Sequence, residues 1–104
     1  MQIFNKIKKQ INNNPIILYM KGDLENPQCG FSDKAAKIIL FYKVKCTYVD
    51  VLKNSKIRIS LPKYADWPTF PQLWVNGELI GGYDILYTLH TDNKLKNILN
   101  IKKK

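Results

Sequence analysis

Apolar positions in this chain change period from segment to segment, and each change marks an element. Ile3, Phe4, Ile7 and Ile11 recur at helical spacing with Lys and Gln between them, which predicts a helix over about 2–13. Asn12-Asn13-Asn14-Pro15 ends it. Ile16-Ile17-Leu18-Tyr19-Met20 is a short unbroken apolar run of strand formers, the mark of a strand buried on both faces in the centre of a sheet. Lys21 to Gln28, with Gly22, Asn26 and Pro27, reads as a loop. From Gly30 to about Tyr42 the helical period returns, with Phe31, Ala35, Ile38, Ile39 and Tyr42 on the inner side and Asp33, Lys34 and Lys37 pointing away. A second strand is expected over 46–52. A helix capped by Ser55 should run to about Ala65.

Trp67-Pro68-Thr69-Phe70-Pro71 is a rigid loop. Asn76-Gly77 between the apolar runs 72–75 and 78–80 signals a hairpin, because a two-residue turn needs positive φ at both positions. Gly81-Gly82 leads into a helix from about Tyr83, and Leu95, Ile98 and Leu99 form a last helical face. The order is α-β-α-β-α-β-β-α-α. A strand, helix and strand make a right-handed parallel unit, which the hairpin extends antiparallel. The expectation is a thioredoxin-like α/β fold: one domain over 1–104, a four-stranded mixed sheet, and helices on both faces. A basic tail is expected at about 101–104.

Composition narrows the function classes. With 45% hydrophobic and 24% charged residues, the chain is an ordinary globular sequence. It has no apolar run of the ~20 residues that a spanning helix needs, and its start lacks the apolar core of a secretory signal. A cytoplasmic protein without a membrane role is expected. The net charge of +9 invites a nucleic-acid reading. However, sixteen of the 17 basic residues are Lys, spread along the chain among many Ile and Asn residues. That is the mark of A- and T-rich codons, not of a focused basic face, and no nucleic-acid partner is expected.

The chemistry centres on Cys29, at the junction of a loop and a helix. A helix N-terminus carries about half a positive charge and free N–H groups, both of which favour thiolate over thiol. Lys21 closes the preceding strand and can approach the same point. Position alone leaves two readings: an activated thiol or an inert cysteine at a helix end. A dithiol oxidoreductase would place a second cysteine three positions on. That position is Ser32, which cannot resolve a mixed disulfide. Cys46 reads as a small buried hydrophobe, and the lone His90 receives no role.

Met20-Lys21-Gly22, Pro27-Gln28-Cys29-Gly30-Phe31-Ser32, Trp67-Pro68-Thr69-Phe70-Pro71-Gln72-Leu73 and Gly77-Glu78-Leu79-Ile80-Gly81-Gly82 with Asp84-Ile85 together resemble the monothiol glutaredoxins with a CGFS site, of the small single-domain bacterial type. The likeness runs from about Ile3 to Leu99. It implies a glutaredoxin fold, a glutathione site, and Cys29 as both active-site thiol and iron ligand. By the same resemblance Lys21 and Arg58 hold the glycine carboxylate of glutathione. Phe70 pairs its backbone with the tripeptide beside a cis Pro71, and Gly82, Tyr83 and Asp84 hold the γ-glutamyl end. The family often has cysteine at the position of Tyr83, so a second thiol beside the site is missing here.

A [2Fe–2S] cluster commonly takes four thiolates, and one chain offers one plausible ligand. Two chains and two glutathione molecules complete the set. The resemblance thus implies a homodimer bridged by its cluster, acting as a carrier in iron–sulfur cluster biogenesis. Its partners would be iron–sulfur client proteins and a BolA-like protein. The alternative is a glutathione-dependent monothiol reductase of protein–glutathione mixed disulfides.

Overall fold

β1 (Ile16–Met20) is buried along its whole length and divides two cores. Its side chains alternate between faces, as a strand requires. Ile16, Leu18 and Met20 pack with Ala35, Ile39, Leu73, Leu86 and Leu95 on one side. Ile17 and Tyr19 pack with Ile7, Ile11, Ile57, Leu61 and Trp74 on the other. The computed structural model describes residues 2–99; the basic tail expected at 101–104 lies outside the described residues.

The elements are α1 (Gln2–Asn13), β1, α2 (Gly30–Phe41), β2 (Thr47–Asp50), α3 (Ser55–Ala65), β3 (Gln72–Val75), β4 (Glu78–Gly81), α4 (Tyr83–Thr91) and α5 (Leu95–Leu99). The sheet order is β2-β1-β3-β4. β1 pairs parallel with β2 and antiparallel with β3, and β3 pairs antiparallel with β4. The core partners place α1 and α3 on one face and α2, α4 and α5 on the other. This is the expected mixed sheet with β1 in its interior. Asn76 and Gly77 turn the hairpin with φ of 51° and 82°, as the Asn-Gly pair predicts.

Three local expectations are corrected. β2 ends at Asp50 because the Asp50 carboxylate accepts the Leu52 N–H at 2.9 Å and turns the chain there. The residue that caps α3 is Asn54, with Ser55 already helical; the Asn54 amide donates to the Asp50 carbonyl at 2.9 Å. Phe31 is not on the inner side of α2. It is 58% exposed and lies 5.8 Å from the Tyr83 ring, centroid to centroid.

Candidate functional site

The loop after β1 sets the position of Cys29. Gly22 has φ of 90°, and a Cβ there would lie 2.5 Å from the Gln28 nitrogen, so only glycine fits this turn. The Gly22 N–H donates to the Asp50 carboxylate at 2.9 Å, and Gln28 N–H returns to the Lys21 carbonyl at 3.0 Å. The loop thus closes on itself and delivers Cys29 as the N-cap residue of α2, with extended φ and ψ. The Cys29 carbonyl accepts the Asp33 N–H at 2.9 Å, so its main chain begins the helix while its side chain stays at the helix mouth. Ser32, fully buried, accepts the Lys21 N–H on its hydroxyl at 3.0 Å and ties the end of β1 to the first turn of α2.

Partial burial pushes the Cys29 thiol upward, but other groups outweigh it. The Ser32 N–H and hydroxyl, the Phe31 N–H and the Lys21 ammonium all favour the thiolate, and its pKa lies below the ordinary value. Cys46 is the contrast. It packs beside the core around Leu18, and burial pushes its thiol up to about 12. The two thiols are thus shifted in opposite directions by their different surroundings.

One wall of a groove is the segment Trp67–Pro71, where the Phe70–Pro71 bond is cis. Gln72, fully buried, fastens it. Its amide donates to the carbonyls of Trp67 at 3.0 Å and Thr69 at 3.4 Å, while its oxygen accepts the Trp74 indole N–H at 3.1 Å. Between this segment and the start of α4 lies the groove, of about 360 Å³, walled by Trp67, Phe70, Pro71, Gly82 to Ile85 and Phe31; Cys29, two residues before Phe31, and Lys21 are not among its lining residues. A Cβ on Gly82 would stand 3.2 Å from the Pro71 carbonyl and 3.7 Å from the Trp67 indole nitrogen, so the glycine keeps this part of the groove open. The Trp67 indole nitrogen is buried and has no partner among the described residues.

Four of the residues expected at a ligand site, Phe70, Gly82, Tyr83 and Asp84, line this one groove. Lys21 is close enough to Cys29 to favour its thiolate. Arg58 is exposed on α3 and is not among the groove's lining residues. Sequence reasoning missed Gln72, Ser32 and Phe31. Gln72 carried a signal: a glutamine in a strand buried at every position must spend its amide on internal partners. In the sequence Ser32 stands out only as a position without a thiol, since its burial depends on packing that no local pattern encodes.

The family model described as Glutaredoxin matches residues 16–80. The chain is 57% identical over 99 residues to Glutaredoxin 4 of Buchnera aphidicola subsp. Baizongia pistaciae, covering 95% of this chain and 92% of that protein. It superposes on the solution structure of reduced poplar apo GrxS14 with a TM-score of 0.78 and 34% identity, covering 91% of this chain and 87% of that one. A buckwheat glutaredoxin–glutathione complex shares the fold, with a TM-score of 0.84 at 21% identity over 96% of this chain and 89% of that one.

Proposed function

This chain belongs to the glutaredoxin family, and on that premise we propose that it binds glutathione in the groove beside Cys29 and carries a [2Fe–2S] cluster between two chains, in iron–sulfur cluster biogenesis in the cytoplasm. The observation that carries the reading is the pairing of one activated thiol with an open, partly polar groove. Cys29 sits at a helix N-terminus with its pKa lowered. The groove holds a buried indole N–H without a partner and a glycine whose Cβ would intrude. Both features fit a small polar ligand.

The roles of the residues follow from their chemistry. Lys21 and Arg58 supply cationic donors for the glycine carboxylate of glutathione. Phe70 offers its main chain to the tripeptide as a strand would. Gly82, Tyr83 and Asp84 sit at the start of α4, where N–H groups favour an anion and the Asp84 carboxylate suits the γ-glutamyl ammonium. The cluster is cargo. Cys29 offers one thiolate per chain, and Cys46, with its thiol buried and its pKa raised, is a poor ligand. Two chains and two glutathiones supply four thiolates, and ligands borrowed from a free thiol suit a cargo that must leave. Iron–sulfur client proteins and a BolA-like partner are the corresponding recipients and co-carrier.

The activated thiol also favours a second reading, the monothiol reductase. The Cys29 thiolate attacks the glutathione sulfur of a protein mixed disulfide, and the protein thiolate leaves. A second glutathione thiolate then attacks Cys29–S–SG, releasing oxidised glutathione and restoring Cys29.

Anaerobic reconstitution with iron, sulfide and glutathione, read by visible absorption on a sizing column, tests the first reading. The expected result is a coloured dimer that needs both glutathione and Cys29, is lost in Cys29→Ser and survives in Cys46→Ser. A colourless monomer under conditions where glutathione binds would overturn it in favour of the reductase.

A further inference from the structure

Two successive amides just after β1 are each held by a side-chain oxygen from a different element. Ser32 on α2 accepts the Lys21 N–H at 3.0 Å, and Asp50 at the end of β2 accepts the Gly22 N–H at 2.9 Å. The same Asp50 oxygen, Oδ1, also accepts the Leu52 N–H at 2.9 Å, while the Asp50 main-chain carbonyl accepts the Asn54 side-chain amide at 2.9 Å. The Asn54 carbonyl in turn accepts the Arg58 N–H at 2.9 Å in the first turn of α3. A run of bonds therefore joins the loop that carries Lys21 and Cys29 to the helix that carries Arg58. The main-chain pairing of β1 with β2 ends where the Val51 N–H meets the Met20 carbonyl at 2.9 Å; past that point the Asp50 side chain holds Gly22. A residue that only turned the chain after β2 would need the Leu52 bond alone. The Gly22 bond spans 28 residues of sequence and serves another loop. Gly22 is buried, so its N–H has no ready substitute in water. The Lys53–Asp23 pair at 3.9 Å spans the same two loops, but it is exposed and contributes little.

We propose that Asp50 is a positioning residue for the ligand: its Oδ1 locks the Lys21 loop against the start of α3 and so sets Lys21 and Arg58 at one spacing for the glycine carboxylate of glutathione. The proposal rests on the glutathione reading and deepens it. Two cations that share one carboxylate must keep their separation, and these two come from different elements. Neither lines the groove, so the Trp67–Pro71 wall does not place them. Their separation is left to the main chains that bear them, and Asp50 joins those main chains. Holding both before the ligand arrives lowers the ordering cost of binding. The device works through an acceptor atom more than through charge. One oxygen takes both the Gly22 and the Leu52 N–H, so an amide oxygen at the same place can do so too. The Lys21 ammonium also favours the Cys29 thiolate, so the same joint reaches the thiol.

The test is calorimetric titration of the reduced full chain with two ligands: glutathione, and its analogue with an amide in place of the glycine carboxylate. Wild type should prefer the acid. Asp50→Ala should bind the acid about tenfold more weakly, the effect of losing one bond to a charged acceptor, and bind the amide almost as before. Asp50→Asn keeps Oδ1 and should stay within about threefold of wild type, since it loses only charge assistance. The pH midpoint of Cys29 alkylation should rise in Asp50→Ala and not in Asp50→Asn. That readout needs no glutathione. A wild type that binds neither ligand overturns the glutathione reading, while the midpoints still read the hold of Asp50 on Lys21. Hydrogen exchange at the Gly22 amide of wild type needs no variant, so it decides even if Asp50→Ala does not fold; slow exchange is expected. Four results would overturn the proposal: fast exchange at that amide, unchanged affinity and midpoint in Asp50→Ala, equal loss for acid and amide, which marks general loosening, or an Asp50→Asn as impaired as Asp50→Ala, which assigns the effect to charge.

Discussion

Replacing Gln72 by Met isolates the device that holds the groove wall. The two side chains are of similar length, so the site stays filled and the change is in hydrogen bonding. Three contacts are lost: the amide to the Trp67 carbonyl at 3.0 Å, the longer one to the Thr69 carbonyl at 3.4 Å, and the Trp74 indole N–H to the Gln72 oxygen at 3.1 Å. Intact bonds of this kind contribute about 1 kcal/mol each, whereas a buried group left without a partner costs about 1–3 kcal/mol. The Trp74 N–H is the most exposed to that penalty, since its side chain is 7% accessible in a strand buried at every position. Two well-formed bonds and one weak one therefore give a loss of about 2–4 kcal/mol. For a domain near 100 residues each kcal/mol lowers Tm by about 4–8 °C. Urea unfolding followed by tryptophan fluorescence reads the stability, and calorimetric titration with glutathione reads the groove. Both should fall, because the freed Trp67–Pro71 segment no longer meets α4 in one geometry. A loss below about 0.5 kcal/mol, within the range of ordinary surface changes, would refute the claim that Gln72 fastens the wall.

Other outcomes follow from the same geometry. Alkylation of Cys29 by iodoacetamide should be half-maximal at a pH below that of an ordinary thiol, and Ser32→Ala should move the midpoint upward by removing one donor to the thiolate; an unchanged midpoint would show that the Ser32 hydroxyl plays no part. Burial raises the thiol of Cys46 and the phenol of Tyr19, so each binds its proton more tightly folded than unfolded. For Cys46 that stabilisation is complete below the unfolded pKa of about 8.5 and is lost as pH rises towards about 12. The slope of stability against pH in that window should lessen in Cys46→Ala. Gly82→Ala places a methyl 3.2 Å from the Pro71 carbonyl and should weaken glutathione binding with little change in urea midpoint. Equal affinity in that variant would move the ligand elsewhere.

Much of the architecture is legible where one residue's neighbours along the chain decide its state. The alternation of β1 needs only the strand period, and Asn76-Gly77 needs only its turn. The thiol at the mouth of α2 is legible for the same reason, since a cap is a local feature. What escaped the reading depends on contacts across the fold. Phe31 occupies an inward position on the helical wheel of α2, but there it meets the start of α4 at the surface and stacks on Tyr83. The short β2 ends through the side chain of Asp50, which also holds the Gly22 N–H of the loop leading to Cys29. Ser32 and Gln72 are polar groups whose partners lie on other elements or across a turn, and a pattern of apolar residues is blind to them.

The partition of the interior by β1 has a consequence for how the sequence can change over generations. The α2–α4–α5 side is rich in leucine: Leu18, Leu73, Leu86, Leu95 and Leu99. The α1–α3 side is rich in isoleucine: Ile7, Ile11, Ile17 and Ile57. Side chains separated by a strand layer and sharing no partners combine their effects nearly additively. Each half is therefore a separate ledger of inheritance, in which a γ-branched residue can give way to a β-branched one without a matching change across the sheet. A genome drifting towards codons for Ile, Lys and Asn can rebuild one half while the other, which packs beneath the first turn of α2, keeps the thiol in place.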